Sequence, residues 1–565
     1  MSGKIFTPSQ SEAIFSGESD IVVLAGPGSG KTEVFTQRIN LLLMNMGARP
    51  AEIVALTFTN AGAREIEKRL NGSAKLGYCG TLHGFALMML KAHGAIMGYG
   101  ERMTVINPEN AADLLASKAS SLGCKLAIAK LMKLKSEIGC PSGKMTLPET
   151  VLAAYYDDLR GAGMVDFDVL LTEFARMLEE TDAIADRFLY LFVDEVQDSG
   201  PVDWRIYRAL KMQKFFVGDP DQSIFGFRGG NVLGLLTYIK RERVQVIKLQ
   251  ENFRSHAEIC ATANELISHN ANRVEKKTIS TKGPGGEVHV FPPDRNGGAE
   301  IAAVLDVMQD LGTWGDGSVA VLTRTNHLAD EYAAALDAAG FKVSKRGERD
   351  LPKDFHLART LVDLLVYPEN DTLGFFYLIA RATARGDSPA KARAQAHEIR
   401  KESARAFSSI NKTSLGLASN LSAERASRVM DSEGISLESQ MLIAEKLREL
   451  PDGSPMIELA FLLAMNPKPS ESKEKEGEVI HCLTLHGAKG KEFDSVFLVG
   501  FEDEIIPGQR KNADIEEERR LAYVGITRAR KRLYVFSSRS RITKWKAIES
   551  HRPSRFIEEM EYIDL

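Results

Sequence analysis

Residues Ala25–Thr32 read AGPGSGKT, between the apolar, β-branched run Asp20–Leu24 and a helix-like stretch, Lys31–Met44. A glycine-rich turn between strand and helix points backbone N–H groups at one spot, and the helix N-terminus adds positive partial charge. The result is a phosphate cradle. Gly26, Pro27, Gly28, Ser29 and Gly30 form the turn. Lys31 is placed to reach the β and γ phosphates of a nucleoside triphosphate, and the Thr32 hydroxyl to ligate Mg²⁺. The strict pattern opens on glycine, where this chain has Ala25; the residues nearest the phosphates keep the pattern.

Working outward, strand-like and helix-like segments alternate. Ile53–Phe58 reads as a strand, Ala61–Leu70 as a charged helix, and Leu189–Val193 and Lys214–Val217 as further strands. Alternation of this kind predicts an α/β fold with a parallel sheet covered by helices. Pro108–Gly163 lacks clear strands and carries helical patterns at Ala111–Leu122, Ala127–Ile138 and Val151–Arg160, so it reads as an insertion. A second α/β pattern starts near Val244, with strands expected at Glu287–Phe291, Ser318–Thr323 and Lys342–Lys345. A mostly helical stretch interrupts it and ends in the charged linker KPSESKEKEGE, Lys468–Glu478; strands return at Val479–Leu485 and Ser495–Val499.

The segment LYLFVDEVQD, Leu189–Asp198, runs a buried strand into adjacent carboxylates. Asp194 is the expected Mg²⁺ ligand and Glu195 the group that orients and deprotonates an attacking water.

Composition sets the class. The 565 residues are 44% hydrophobic and 26% charged, with net charge −4 and pI about 6.3. That is ordinary globular protein with room for three or four domains at ~100–200 residues each. Charge alone does not point to nucleic acid, although a local groove can be basic on an acidic protein. No run approaches the ~18–20 apolar residues of a membrane span, and the N-terminus has no secretory h-region. The five scattered cysteines show no CxxC pairing, which argues against zinc, iron–sulfur clusters or a disulfide framework and for a reducing cytosol.

At this point the motifs resemble the UvrD/Rep/PcrA group of superfamily 1 helicases. FTPSQ (Phe6–Gln10) and AGPGSGKT are followed by LTFTNAGAREIEKRL (Leu56–Leu70), GTLHGFA (Gly80–Ala86) and VDEVQDS (Val193–Ser199). Then come VGDPDQSIFGFRGG (Val217–Gly230), LQENFRS (Leu249–Ser255), TLHGAKGKEFDSVFLVG (Thr484–Gly500), EEERRLAYVGITRAR (Glu516–Arg530) and RPSRFIEEM (Arg552–Met560). The resemblance implies two RecA-like domains, 1–107 with 164–245 and 246–368 with 478–565, and shortened helical insertions at 108–163 and 369–477. It implies ATP and Mg²⁺ as ligands, single-stranded DNA and its junctions with duplex as partners, and a cytoplasmic, nucleoid-associated protein of bacterial or phage-like origin.

Site roles follow from the same resemblance. Gln10 falls at the adenine-reading position, and Gln222 would sense the γ-phosphate. Arg254 and Arg528 would be arginine fingers from the second domain, suited by permanent charge and bidentate geometry. Phe253 replaces a tyrosine that stacks on adenine. Arg38 and Glu492 match positions bracketing base and ribose, and Glu33 stands where the family often has arginine. Phe58, His83, Phe225, Phe227 and His486 fall in motifs that face the strand; aromatic rings stack on any base. Thr59, Asn60 and Thr81 would contact phosphates, and Arg228 would either do the same or brace its loop. RATARGDSP, Arg381–Pro389, resembles a duplex-touching segment, with Gly386-Asp387-Ser388 in place of Gly-Ile-Gly.

The leading expectation is a DNA helicase of 3′→5′ polarity acting in repair, recombination or replication. The alternatives are a single-strand translocase that displaces proteins with little unwinding, and a nucleotide-gated nucleic-acid-binding regulator without a motor cycle.

Overall fold

The computed structural model describes residues 5–70, 75–99, 103–138, 143–184, 187–226, 232–310, 317–344, 479–508, 514–542 and 548–560, with isolated positions besides. The reading of 369–477 as a helical insertion, with RATARGDSP, lies almost wholly outside them. The chain falls into two compact units. One takes the described residues within Met1–Leu82, Ile184–Arg346 and Lys473–Leu565; the other contains His83–Ala183.

The first unit holds two parallel sheets. In spatial order the first runs Tyr78–Thr81, Ile53–Thr57, Tyr190–Val193, Gln213–Gly218, Ile21–Ala25 and Gln245–Leu249. Ile21–Ala25 and Ile53–Thr57 are buried at every position, as expected for strands covered on both faces. Ile21 pairs with Phe215 on one side and Gln245 on the other, so the phosphate loop leaves the sheet between two strands of distant origin. Helix Lys31–Asn45 packs back through Val34, Phe35 and Ile39 into the core of this sheet.

The second sheet runs Val343–Ser344, Ile480–Thr484, Val319–Thr323, Phe493–Leu498, Ala529–Val535, Glu287–Val290 and Ile563–Asp564. Strands from either side of the interruption therefore interleave in one sheet. Helices Ala257–Ser268 and Ile515–Ile526 cover it, burying Leu266, Leu521 and Val524.

The second unit contains helices Pro108–Ser121, Ile128–Ile138, Leu147–Gly161 and Phe167–Glu180. Two of them start earlier than periodicity suggests, because caps extend them. Asn107 accepts the Asn110 N–H ahead of Pro108, and Thr146 forms a capping box with Glu149. Thr104–Val105 lies parallel to Met164–Val165 and closes the two ends of the helical insertion on each other. In its core Lys135 meets Asp166, which also accepts the Tyr155 hydroxyl at 2.5 Å.

Candidate nucleotide and nucleic-acid site

The phosphate loop is shaped by two glycines in left-handed backbone, Gly28 at φ 66° and Gly30 at φ 80°. Gly30 stands at the N-cap of helix Lys31–Asn45 with no side-chain cap, as suits a helix N-terminus that takes an anion. Ser29 Oγ braces the turn by donating to the Gly26 carbonyl at 2.8 Å. Gln10 Nε2 donates to the Ser29 carbonyl at 3.0 Å and its Oε1 accepts the Thr7 N–H at 3.1 Å, which fixes helix Pro8–Phe15 against the loop. Thr32 opens the helix with Lys31, its carbonyl taking the Thr36 hydroxyl at 2.9 Å.

The acidic strand end meets this loop. Lys31 Nζ lies 3.7 Å from Glu195 Oε1. Glu195 is in left-handed backbone at φ 54°, the one non-glycine residue so placed among those described. Burial opposes its charge, but Lys31 and Lys489 outweigh that and bring its carboxyl down to about 2. Gln197 Nε2 donates to Glu195 Oε2 at 2.6 Å and sets its direction. Asp194 accepts the Glu195 N–H at 2.9 Å. Burial first, and then the Glu195 charge, push its carboxyl up to about 7. A buried carboxylate lacking enough positive charge and a threonine hydroxyl next to Lys31 are both hard-oxygen donors of the kind Mg²⁺ takes. Thr32 and Asp194 fit that ion.

The opposite wall comes from residues after 250. Asn252 Nδ2 donates to the Pro27 carbonyl at 2.8 Å, and the Phe253 N–H donates to the Gly28 carbonyl at 2.9 Å. This leaves the Phe253 ring 44% exposed, free to cover a base. Arg254 Nε donates to Glu492, which also takes Arg530; Arg254 Nη1 donates to the Thr527 carbonyl at 3.1 Å. Arg528 is only 1% exposed, and burial followed by repulsion from Arg254 lowers its guanidinium to about 9. It donates to Gln222 Oε1 at 3.1 Å, while Gln222 Nε2 donates to Asp219 Oδ2 at 2.6 Å. Lys31, Glu195, Gln222 and Arg528 are thus joined through direct contacts and Lys489, which lies 3.9 Å from Glu195 and donates to the Gln222 carbonyl at 2.9 Å.

Arg38 and Glu33 are engaged with protein groups. Arg38 donates to the carbonyls of Ile14 and Ser16 at 2.8 and 2.6 Å, closing the C-terminal end of helix Pro8–Phe15. Glu33 takes Gln37 Nε2 at 3.1 Å and faces Arg69 at 3.4 Å.

An aromatic face adjoins the carboxylates. Phe58, 41% exposed, stacks on Phe225 with centroids 5.2 Å apart and 14° between planes; His486 lies 6.2 Å beyond. Thr59 caps helix Asn60–Arg69, its hydroxyl accepting the Gly62 N–H at 3.1 Å, and Asn60 is that helix's first residue. Thr81 is buried at its strand end, its carbonyl taking the Tyr78 hydroxyl at 3.1 Å. His83 belongs to the second unit; its ring meets the Phe167 edge at 5.5 Å, and burial lowers it to about 4, so it is neutral at physiological pH. Phe227 and Arg228 lie outside the described residues.

Sequence reasoning passed over Gln197, Asp198, Asp219 and Lys489, although all stand inside the quoted motifs. Asp198, pushed up to about 6 mainly by burial, binds Lys489 at 2.5 Å. The available signal was their polarity at positions next to buried strands.

Comparison with known proteins matches this layout. The UvrD/REP helicase N-terminal domain matches residues 6–242, and the UvrD-like helicase C-terminal domain matches 247–353 and 392–540. The chain is 27% identical to an ATP-dependent DNA helicase PcrA of Leuconostoc citreum, over 98% of this chain and 84% of that protein. It is 28% identical to a probable DNA helicase II homolog of Rickettsia conorii, over 98% and 95%. It is 27% identical to an ATP-dependent DNA helicase UvrD1 of Mycobacterium bovis, over 99% and 85%. With two parallel sheets of RecA-like type, the phosphate loop after a strand of one and Arg528 just before a strand of the other, the chain belongs to the UvrD-like helicase family.

Proposed function

We propose that the protein is an ATP-dependent DNA helicase that translocates 3′→5′ on single-stranded DNA and opens duplex DNA in repair, recombination or replication. The observation that carries this reading is the single connected site: Lys31 faces Glu195 at 3.7 Å while Arg528 reaches Gln222 at 3.1 Å. Family membership and the relatives' names supply DNA as the track, and the exposed Phe58–Phe225 stack offers a surface for bases. The domain division given above, 1–107 with 164–245 and 246–368 with 478–565 around insertions at 108–163 and 369–477, belongs to the same proposal.

The chemistry follows from the residues. Lys31 and the backbone N–H groups of the loop bind the phosphates. Gln10 and Phe253 border the place for adenine. Glu195, ionised and aimed by Gln197, takes the proton of the attacking water. Arg254 and Arg528 neutralise charge spreading onto the γ-phosphoryl oxygens. Mg²⁺ held by Thr32 and Asp194 would add charge withdrawal from the β and γ oxygens. Gln222 touches Arg528 across the cleft, so loss of the γ-phosphate is felt on both walls.

The test is unwinding of 3′-tailed and 5′-tailed duplexes with ATP. Opening of the 3′-tailed substrate alone is expected. Opening of the 5′-tailed one alone would reverse the polarity. Protein displacement without opening of either would replace helicase with translocase. Lys31→Ala should abolish single-strand-stimulated ATP hydrolysis; a protein without such hydrolysis would be a nucleotide-gated binder.

A further inference from the structure

Outside the motifs, one buried cation sits behind the γ-phosphate sensor. Lys276 lies in the segment after helix Ala257–Ser268 and is almost fully buried. Its Nζ is 2.8 Å from Asp219 Oδ1 and also contacts Asp221. Arg273 grips the same Asp221 carboxylate at 3.2 and 3.0 Å and donates to the Lys276 carbonyl at 3.2 Å. Asp219 Oδ2 in turn holds the Gln222 amide at 2.6 Å, and the Asp219 N–H donates to Gln197 Oε1 at 2.8 Å. Gln197 directs Glu195.

One aspartate therefore orients both the residue that touches Arg528 and the residue that aims the general base. A buried carboxylate keeps its charge only beside a cation, and Lys276 supplies it. The segment is also tied to the opposite wall. Asn264 exchanges hydrogen bonds with Thr278 at 2.8 and 2.9 Å, and Ile279–Ser280 pairs with Glu251–Asn252, just ahead of Phe253 and Arg254.

We propose that Lys276 is a positioning residue for ATP hydrolysis: it locks Asp219, and through it Gln222 and Gln197, relative to the loop that carries Arg254. Its ammonium is taken up by Asp219 and Asp221, so it acts on turnover and leaves nucleotide binding alone. The proposal rests on the ATPase reading above.

The experiment measures single-strand-stimulated ATP hydrolysis by the full chain carrying Lys276→Met, Lys276→Arg, or Lys276→Met with Asp221→Asn. The double variant removes one buried charge of each sign and so keeps the pocket neutral if the single variant unfolds. Expected are a kcat at least ~10-fold lower for both methionine variants, one lost charge-assisted contact being worth about this much. KM for ATP should stay within twofold, and Lys276→Arg should recover most of the rate. Wild-type kcat in the double variant, or a loss matched by the unfolded fraction at the assay temperature, overturns the proposal. An inactive wild-type protein would overturn the ATPase reading itself, and this proposal with it.

Discussion

Glu195 holds a backbone conformation that costs a β-carbon-bearing residue roughly 1–3 kcal/mol. The strain is maintained by the strand before it, by Gln197, and by Lys31 and Lys489. The carboxylate that results is ionised and fixed, which suits the proposed role of general base. Glu195→Gln is expected to lower kcat for ATP hydrolysis by about 10²–10⁴-fold, with ATP retention in a binding assay nearly unchanged. Comparable losses in both would assign Glu195 to binding. Its neighbour behaves oppositely. The Asp194 carboxyl rises from 3.8 to about 7 through burial, then Glu195, with Lys31 opposing and Glu65 adding a little. A raised carboxyl binds a proton on folding, so stability falls as pH climbs through that window and the full cost persists above it. Asp194→Asn, without nucleotide or metal, should raise the melting temperature by a few degrees at pH 8 and hardly at pH 4. An equal rise at both would sink this account. The adjacent carboxylates at a strand end were legible in the sequence; the left-handed backbone under Glu195 was not, because a glutamate gives no hint of positive φ.

At the scale of elements, the phosphate loop was the most readable part, since strand, glycines and helix succeed each other in eight residues, Ala25–Thr32. Its other wall was less so. A β-carbon on Gly28 would come 2.6 Å from Arg254 Cβ and 3.1 Å from Asn252 Oδ1, contacts that join residues over 220 positions apart. Gly28→Ala should therefore push the Arg254 loop away as well as strain the turn. The expected outcome is a higher KM for ATP together with a lower kcat, read in steady-state hydrolysis; an unchanged KM would mean the loops yield freely. The insertion helices were found from periodicity, and their true starts from Asn107 and Thr146 acting as caps. Thr104–Val105 and Met164–Val165 escaped notice because two-residue strands have no period to detect. Helix Phe167–Glu180, capped by Asp166, was also passed over. Arg38 closing the end of helix Pro8–Phe15 needed the fold, since no local pattern announces a partner 22 to 24 residues away.

Across the first unit, the interleaved second sheet was foreseen as an interrupted α/β pattern, and strands on either side of the interruption do pair, Val319–Thr323 with Ile480–Thr484. The link between the buried carboxylates and the aromatic face was not foreseen. Lys489 lies 4.9 Å over the Phe225 ring while its ammonium binds Asp198 and the Gln222 carbonyl and approaches Glu195. On the proposed function, a base stacking on Phe225 would disturb the cation that steadies Glu195 and Asp198. Lys489→Ala is expected to cut the ratio of single-strand-stimulated to basal hydrolysis by ~5-fold or more, measured by phosphate release with and without a thymidine oligonucleotide. A preserved ratio would break the link. The bond from Arg528 to Gln222 spans 306 residues of chain. Synthesis at ~5–20 residues per second separates the two by roughly 15–60 s. During that interval a growing polypeptide already holds its phosphate loop and Glu195, and soon gains Arg254, while Gln222 still waits for Arg528. The two walls of this site are thus made far apart in time, and the contact that joins them through Gln222 can form only after Arg528 has been added.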